Sequence, residues 1–169
     1  MSTLPVGAVA PDITTTAHRT SVLPDRAWVA GRPAALLFHG RDNQDAARAV
    51  VQTIRNAYPY APQLVTLNIV NLSRYPRVMR KLVTHDLDVA YETEVRILPG
   101  DRDVESHVVI VPDYSGEIAR SFGVCDSESV VSGIVIGGDW RVQMSTAGPG
   151  LDDTMMATLR RLLGPGVAH

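Results

Sequence analysis

The spacing of apolar residues divides the first half of the chain into alternating strands and helices. An apolar run at residues 34–38, after a Gly-Arg-Pro turn, predicts a strand buried on both faces. Apolar residues then recur at helical spacing over residues 46–57, with Asn43 or Gln44-Asp45 supplying the N-terminal cap. Residues 64–70 alternate between apolar and polar and predict a second strand. This half therefore predicts a β-α-β unit.

The remaining pattern predicts an α/β fold with a central mixed sheet flanked by helices. We expect a helix over 75–83, an irregular connection over 85–107 with a short helix around 89–94, a strand at 108–111 and a short helix or turn-helix over 113–122. Strands at 130–136 and 140–144 form a hairpin across Gly137-Gly138-Asp139, and a helix spans 151–163. At the N-terminus, an extended arm over 1–12 leads into a β-hairpin formed by 13–16 and 21–23.

Length and charge narrow the class of protein. The 169 residues suit one domain over 1–169, with 164–169 as a tail. The net charge of −2 argues against a dedicated nucleic-acid binder, and the apolar run at 130–136 is too short to span a membrane. The N-terminus lacks the pattern of a secretory signal, so we expect a cytoplasmic protein. Cys125 is the only cysteine, which excludes an intrachain disulfide and a cysteine-based zinc site.

Several strings resemble the thioredoxin fold in its peroxiredoxin-like, or redoxin, variety. Residues 7–13 (GAVAPDI) are similar to the G-x-x-A-P-D-F opening of that family, and residues 32–38 to the strand before its active-site loop. Residues 113–124 resemble the helix that ends in F-G-V, and residues 134–140 lie where the family has its hairpin. A second resemblance is to the redox-inactive thioredoxin-like domain that ends flavin-dependent aromatic hydroxylases.

The cysteines of that family are missing here. Aligned with the peroxiredoxin motif P-x-x-x-T-x-x-C, the chain has Gly40, Gln44 and Ala47 in place of the Pro, Thr and Cys. Aligned with the thioredoxin motif C-x-x-C, Asn43 and Ala46 occupy the two cysteine positions. Neither alignment leaves a nucleophile, because an amide or a methyl group cannot attack a peroxide or a disulfide. The resemblance therefore implies a redoxin fold without redoxin chemistry at this loop.

The loop between the first strand and its helix is the main candidate site. Ligands bind at the carboxyl end of such a strand, where a helix begins. We predict His39 as a general base, Arg41 as an anion clamp and Asp42 as an orienting carboxylate. Asn43 and Gln44 are the predicted ligand-binding residues. The alternative is that Asn43 only caps the helix while His39, Arg41 and Asp42 face solvent.

Two further groups have both a functional and a structural interpretation. Cys125 is a candidate redox site, either as a one-cysteine sensor or as a small, partly buried apolar residue. The residues His85, Asp86, Asp88 and Glu92 match no metal-ligand spacing and are typical of a solvated helix terminus. We therefore predict neither a metal nor a cofactor.

Three functional hypotheses follow. The first, which we favour, is a redox-inactive thioredoxin-like protein that binds a small molecule or a protein partner, and the resemblance to peroxiredoxins implies a homodimer. The second is a cofactor-free or accessory enzyme that uses the loop of residues 39–44 for acid-base chemistry on a small substrate, aromatic or not. The third is a one-cysteine redox protein acting through Cys125. No hypothesis includes a nucleic-acid or membrane partner.

Overall fold

A mixed five-stranded sheet forms the centre of the fold. The computed structural model describes residues 3–59, 62–100 and 102–166. Three predicted segments therefore lie partly outside the described residues: the arm at 1–2, the irregular connection at 101 and the tail at 167–169. The strands are β1 (Ala34–His39), β2 (Val65–Asn71), β3 (Ile110–Asp113), β4 (Ser132–Ile136) and β5 (Val142–Ala147). They lie in the order β3-β2-β1-β4-β5, with β1 to β3 parallel and β4 antiparallel to both of its neighbours. The predicted mixed sheet is confirmed.

Helices cover both faces of this sheet. They are α1 (Arg26–Val29), α2 (Gln44–Ala57), α3 (Arg80–Ile97), α4 (Val104–His107), α5 (Glu117–Ser121) and α6 (Leu151–Leu163). All six residues of β1 are buried, as expected for a central strand with helices on both sides. Leu36 and Phe38 face a core formed with the N-terminal arm, α1 and α5, whereas Ala35 and Leu37 face α2 and α6. The side chain of His39 follows the alternation and belongs to the α2 side.

Helix α3 corrects the prediction of an irregular connection over residues 85–107. The helix runs without interruption to Ile97, after a 3-10 turn at Arg77–Met79. Its buried residues are Val83, Leu87, Ala90 and Glu94, which recur at helical spacing and pack over β2 and β3. The pattern was missed because one position of this stripe is a small alanine and another is a charged glutamate.

The predicted hairpin at residues 13–16 and 21–23 is wrong. Neither segment is a strand. The turn between them is closed by two backbone bonds, from Ala17 N–H to the Val22 carbonyl at 2.8 Å and from Thr20 N–H to the Ala17 carbonyl at 3.4 Å. The next donor, His18 N–H, bonds to the Ile110 carbonyl of β3 at 2.7 Å instead of continuing a hairpin ladder. The preceding arm lies beside the start of β5, where Val9 bridges Arg141, the residue before that strand. The segment therefore packs on the edges of the main sheet.

Two predicted strands are shifted along the chain. Strands are predicted at 108–111 and 140–144, but β3 begins at Ile110 and β5 at Val142. Because β3 extends to Asp113, the helix predicted over 113–122 is limited to Glu117–Ser121. Trp140 adopts a positive φ of 62° and closes the turn by donating its N–H to the Gly137 carbonyl. Its large apolar side chain is buried all the same. Among the described residues, no helix is both long enough and apolar enough to cross a bilayer.

Candidate functional site

The loop between β1 and α2 is fixed against the segment that leads into β4. Gly40 N–H donates to the Asn43 Oδ1 at 2.8 Å, and the Asn43 Nδ2 donates to the Ser127 carbonyl at 3.1 Å. A Cβ on Gly40 would come within 2.9 Å of the Glu128 Cα. Asn43 is the N-cap residue of α2, as predicted, but its side-chain amide is used in these two bonds and makes no capping bond. The predicted ligand-binding residue Asn43 thus organises the loop itself.

His39 lies at the end of β1 and is only 4% exposed. Its Nδ1 lies 2.9 Å from the Gly40 carbonyl oxygen, which can only accept, so Nδ1 carries the proton and donates. Burial is the main cause that lowers the pKa of His39 from 6.5, opposed in part by this hydrogen bond. The ring is therefore neutral at pH 7, and its Nε2 is a hydrogen-bond acceptor.

A small cavity lies beside His39, between the sheet and helices α2 and α3. The cavity has a volume of about 30 Å³. A buried water molecule needs at least about 10–15 Å³, so the cavity is large enough to hold a small group. Its apolar lining residues are Val70, Leu72, Val83, Leu87, Ala90 and Ile110, and its polar ones are His39, Arg41, Gln44, Arg48, Asn68, Asp86 and Glu94. We call this space the inner cavity.

Asn68 is a polar residue of the inner cavity whose side-chain amide has no hydrogen-bond partner among the described residues. It pairs with Leu37 across β1 and β2, so both side chains project to the face covered by the helices. The residue is 7% exposed, and no described residue makes a hydrogen bond to its side-chain amide. Asn68 therefore presents one acceptor and two donor hydrogens to the cavity.

A buried ion-pair cluster forms the wall between α2 and α3. Glu94 is 5% exposed, and its carboxylate accepts from Arg48 Nε at 3.1 Å and from Arg55 Nη1. Arg48 also bonds to Asp45 at 2.9 Å, and Arg55 donates to the His107 carbonyl at 2.7 Å. The positive charges of both arginines thus surround one buried carboxylate, which ties the two helices together at this wall.

A second, more polar space opens outside the inner cavity, and we call it the mouth. It offers about 250 Å³ on the same measure, and it shares Arg41, Gln44, Asp86 and Ala90 with the inner cavity. Arg41 Nε lies 2.9 Å from the Asp86 Oδ2, an ion-pair distance, although the N–H is not aligned for a hydrogen bond to that oxygen. This pair of charges lies at the boundary between the two spaces.

The predicted site residues fall into two groups in the structure. His39, Arg41 and Gln44 line the inner cavity together. Asp42 lies at the mouth, where its carboxylate accepts from Arg74 at 2.6 Å. This hydrogen bond from Arg74 lowers the pKa of Asp42. Asp42 is therefore paired with an arginine outside the predicted set and does not line the inner cavity with His39.

Cys125 lies apart from these two cavities. It is exposed in the segment after α5, where its Sγ is 3.6 Å from the Gly123 carbonyl oxygen. It lines neither the inner cavity nor the mouth. A reaction at this thiol would take place on the surface of the protein.

The acidic residues of α3 pair with side chains from other segments. Asp88 accepts from His18 at 2.8 Å, and Glu92 accepts from Arg19 at 3.1 Å. In the described part of the chain, no group of three His, Cys, Asp or Glu side chains is arranged to hold a metal ion. These acids join α3 to the N-terminal segment, while Asp86 of the same helix reaches the mouth.

Asn68, Arg48 and Glu94 were not among the predicted site residues. The alternation of apolar and polar residues in β2 predicts a strand with one apolar face and one polar face. However, β2 is a neighbour of the fully buried β1, so its polar positions are also covered by helices. An asparagine in a strand beside the central strand was the available signal for a buried polar group.

Several solved structures are similar to this chain over nearly its whole length. A protein of Chlorobium tepidum assigned as the thiol:disulfide interchange protein DsbE is 14% identical, with a TM-score of 0.67, covering 95% of this chain and 99% of that one. The exposed lipoprotein thioredoxin Etrx1 of Streptococcus pneumoniae is 15% identical, with a TM-score of 0.62, covering 90% and 100%. A secreted disulfide oxidoreductase of Mycobacterium tuberculosis is 15% identical, with a TM-score of 0.54, covering 88% and 94%.

No protein-family model and no curated protein sequence matches the chain. The structural neighbours are thiol:disulfide oxidoreductases, whereas this chain has one cysteine, outside the loop that follows β1. The three positions that the alignments give to cysteine are Asn43, Ala46 and Ala47, at the start of α2. The chain therefore has the thioredoxin-like fold, and it lacks the C-x-x-C motif.

Proposed function

We propose that this protein is a redox-inactive thioredoxin-like binding module that takes a small molecule at the carboxyl end of β1. The observation that carries the proposal is the side-chain amide of the buried residue Asn68, which lines the inner cavity without a hydrogen bond to any described residue. The ligand would enter through the mouth and reach Asn68 between α2 and α3. The end of a buried strand beside a helix N-terminus is a common place for ligands in α/β folds.

The first turn of α2 supports a role without thiol chemistry. Attack on a disulfide or a peroxide requires a thiolate. Ala46 and Ala47 supply methyl groups there, and the amide of Asn43 is bound within the loop. Cys125, the single thiol, is exposed on the surface in the segment after α5. A cavity lined by polar and apolar groups replaces the reactive site.

The experiment is a saturation-transfer NMR screen of small uncharged molecules against the wild type and Ala90→Met. Ala90 lines both spaces, so a methionine side chain fills the passage between them. The matched control is Ala49→Met, the same change at an exposed position of α2. We expect hits that bind the wild type and Ala49→Met and are lost in Ala90→Met. Hits that survive in Ala90→Met, or the absence of any hit, would contradict the proposal.

His39 favours a second candidate function, acid-base catalysis on the bound molecule. Its proton is fixed on Nδ1, and its pKa is lowered by burial, so a neutral Nε2 is available as a base. The screen can separate the two functions: for the enzyme, a hit is converted to product by the wild type and only bound by His39→Gln. For the binding module, no hit is converted by either protein.

The remaining parts of the proposal are the assembly and the location of the protein. A homodimer would appear as twice the chain mass in light scattering. Recovery of the protein from the exported fraction of cells would contradict a cytoplasmic location. Two of the similar structures are described as an exposed lipoprotein and a secreted protein, so this fractionation is worth making.

A further inference from the structure

The chemical groups around the inner cavity define the end of the ligand that enters it. The Asn68 amide needs an acceptor for its N–H groups and a donor for its oxygen. A ligand group that both donates and accepts can satisfy the amide on both sides, whereas a ketone or an ether can satisfy only its donors.

His39 adds a second requirement on the same face of the sheet. Its Nδ1 donates to the Gly40 carbonyl, so the opposite nitrogen, Nε2, needs a donor. The register pairs Leu37 with Asn68, which places His39 two residues further along β1. From strand spacings, the Cα atoms of His39 and Asn68 are about 8 Å apart. A ligand group with two N–H hydrogens can donate to both side chains.

The charged residues of the wall compensate one another. The charged residues that line the inner cavity are two arginines, Arg41 and Arg48, and two acids, Asp86 and Glu94. Arg41 is paired with Asp86 and Arg48 with Glu94, so the charges of the lining balance. A charged end group would lose its hydration without gaining an unpaired counter-ion. The wall thus favours an uncharged group.

The size of the two spaces limits how the ligand is divided between them. The inner cavity, at about 30 Å³, has room for a group no larger than about two water molecules. The rest of the ligand has to lie at the mouth, which offers about 250 Å³. The ligand is therefore a small body that ends in a compact polar group.

We infer that the ligand of this site is a small, uncharged molecule with a primary carboxamide, which pairs with the Asn68 amide and donates to His39 Nε2. This inference rests on the proposed function and specifies its ligand class. The carboxamide oxygen accepts from Asn68, one N–H donates to the Asn68 oxygen, and the other N–H donates to His39. The apolar walls at Val70, Val83 and Leu87 enclose the group.

The test is calorimetric titration with benzamide, benzoate and acetophenone, which share a body and differ in the end group. Benzoate replaces the N–H donors by charge, and acetophenone replaces them by a methyl group. We expect wild-type protein to bind benzamide about tenfold or more tightly than either analogue, as two additional hydrogen bonds imply. Asn68→Leu keeps the approximate shape, and it should remove this preference. Asn68→Ala serves the same purpose if the leucine variant does not fold.

The outcomes separate this inference from the proposed function. Equal or tighter binding of benzoate or acetophenone, or a preference for benzamide that survives in both Asn68 variants, would overturn the carboxamide inference. The carboxamide inference would also be overturned if none of the three compounds binds while other molecules bind to the wild type and not to Ala90→Met. In that case the proposed function would stand. If no molecule depends on the cavity, the proposed function fails, and this inference fails with it.

Discussion

The buried carboxylate of Glu94 offers a direct test of how the wall of the site is built. Glu94→Gln keeps the shape of the side chain and removes its charge. In the wild type this carboxylate accepts from Arg48 and Arg55, whose side chains are 26% and 13% exposed. After the change, both guanidinium groups remain in a partly dehydrated environment without their shared counter-ion. The variant should therefore be less stable, because it leaves positive charge buried and uncompensated.

The expected loss follows from what each arginine keeps. Removing one partner of a buried ion pair costs about 3–5 kcal/mol. Here Arg48 still has Asp45 at 2.9 Å, and Arg55 still has the His107 carbonyl at 2.7 Å. Both arginines also retain some contact with water. We therefore expect Glu94→Gln to lower the free energy of unfolding by about 2–4 kcal/mol.

The assay is equilibrium unfolding in urea at pH 7, with Glu92→Gln as the matched control. Glu92 is in the same helix and pairs with Arg19 at 3.1 Å, but its side chain is 53% exposed. Exposed ion pairs contribute about 0–1 kcal/mol, so the control should remain close to the wild type. The slope against urea should be the same in all three proteins. A Glu94→Gln variant as stable as Glu92→Gln would refute the buried cluster.

Two further changes test the loop at the end of β1. Burial lowers the pKa of His39 from 6.5, so the unfolded chain takes up the proton first. The free energy of unfolding therefore decreases as the pH falls through 6.5, by at most about 1.4 kcal/mol per pH unit. Measured by urea unfolding between pH 7.5 and 5, the free energy of unfolding should depend less on pH in His39→Gln than in the wild type. His85→Gln, a change at an exposed histidine, is the control. The same pH dependence in His39→Gln and the wild type would contradict this prediction. Gly40→Ala would place a Cβ within 2.9 Å of the Glu128 Cα and should cost about 1–3 kcal/mol. Gly100→Ala has nothing within 4 Å and should leave stability nearly unchanged, so equal stability of these two variants would count against the close approach.

The elements that the sequence predicted well are those with strong local signals. The apolar run of β1 and the periodic residues of α2 were placed correctly, and α6 (Leu151–Leu163) has the predicted limits. In α6, Asp152 and Asp153 occupy the first turn, Arg160 and Arg161 the last turn, and Gly164 follows as the C-cap. Such signals lie within a few residues of the element that they specify, so they can be read without the tertiary structure.

The features that were missed depend on contacts between distant segments. Glu94 is a buried residue of α3 because Arg48 and Arg55 of α2 compensate it, and no local pattern indicates that pairing. The turn that follows the arm gives its His18 N–H to Ile110, which is far along the chain. Asn68 is buried because of what covers β2, although its sequence pattern is that of a half-exposed strand. The loop was located from the sequence, but the cavity beside it was not.

The central claim is that this thioredoxin-like protein acts without thiol chemistry, and the rate of oxidation of Cys125 tests it most directly. The protein would be incubated with one equivalent of hydrogen peroxide, and intact-mass spectrometry would follow the gain of one oxygen atom, with glutathione and Cys125→Ser measured alongside. The account predicts that Cys125 is oxidised no faster than glutathione and that Cys125→Ser gains no oxygen. Rapid, stoichiometric oxidation that disappears in Cys125→Ser would contradict the account and identify a redox protein.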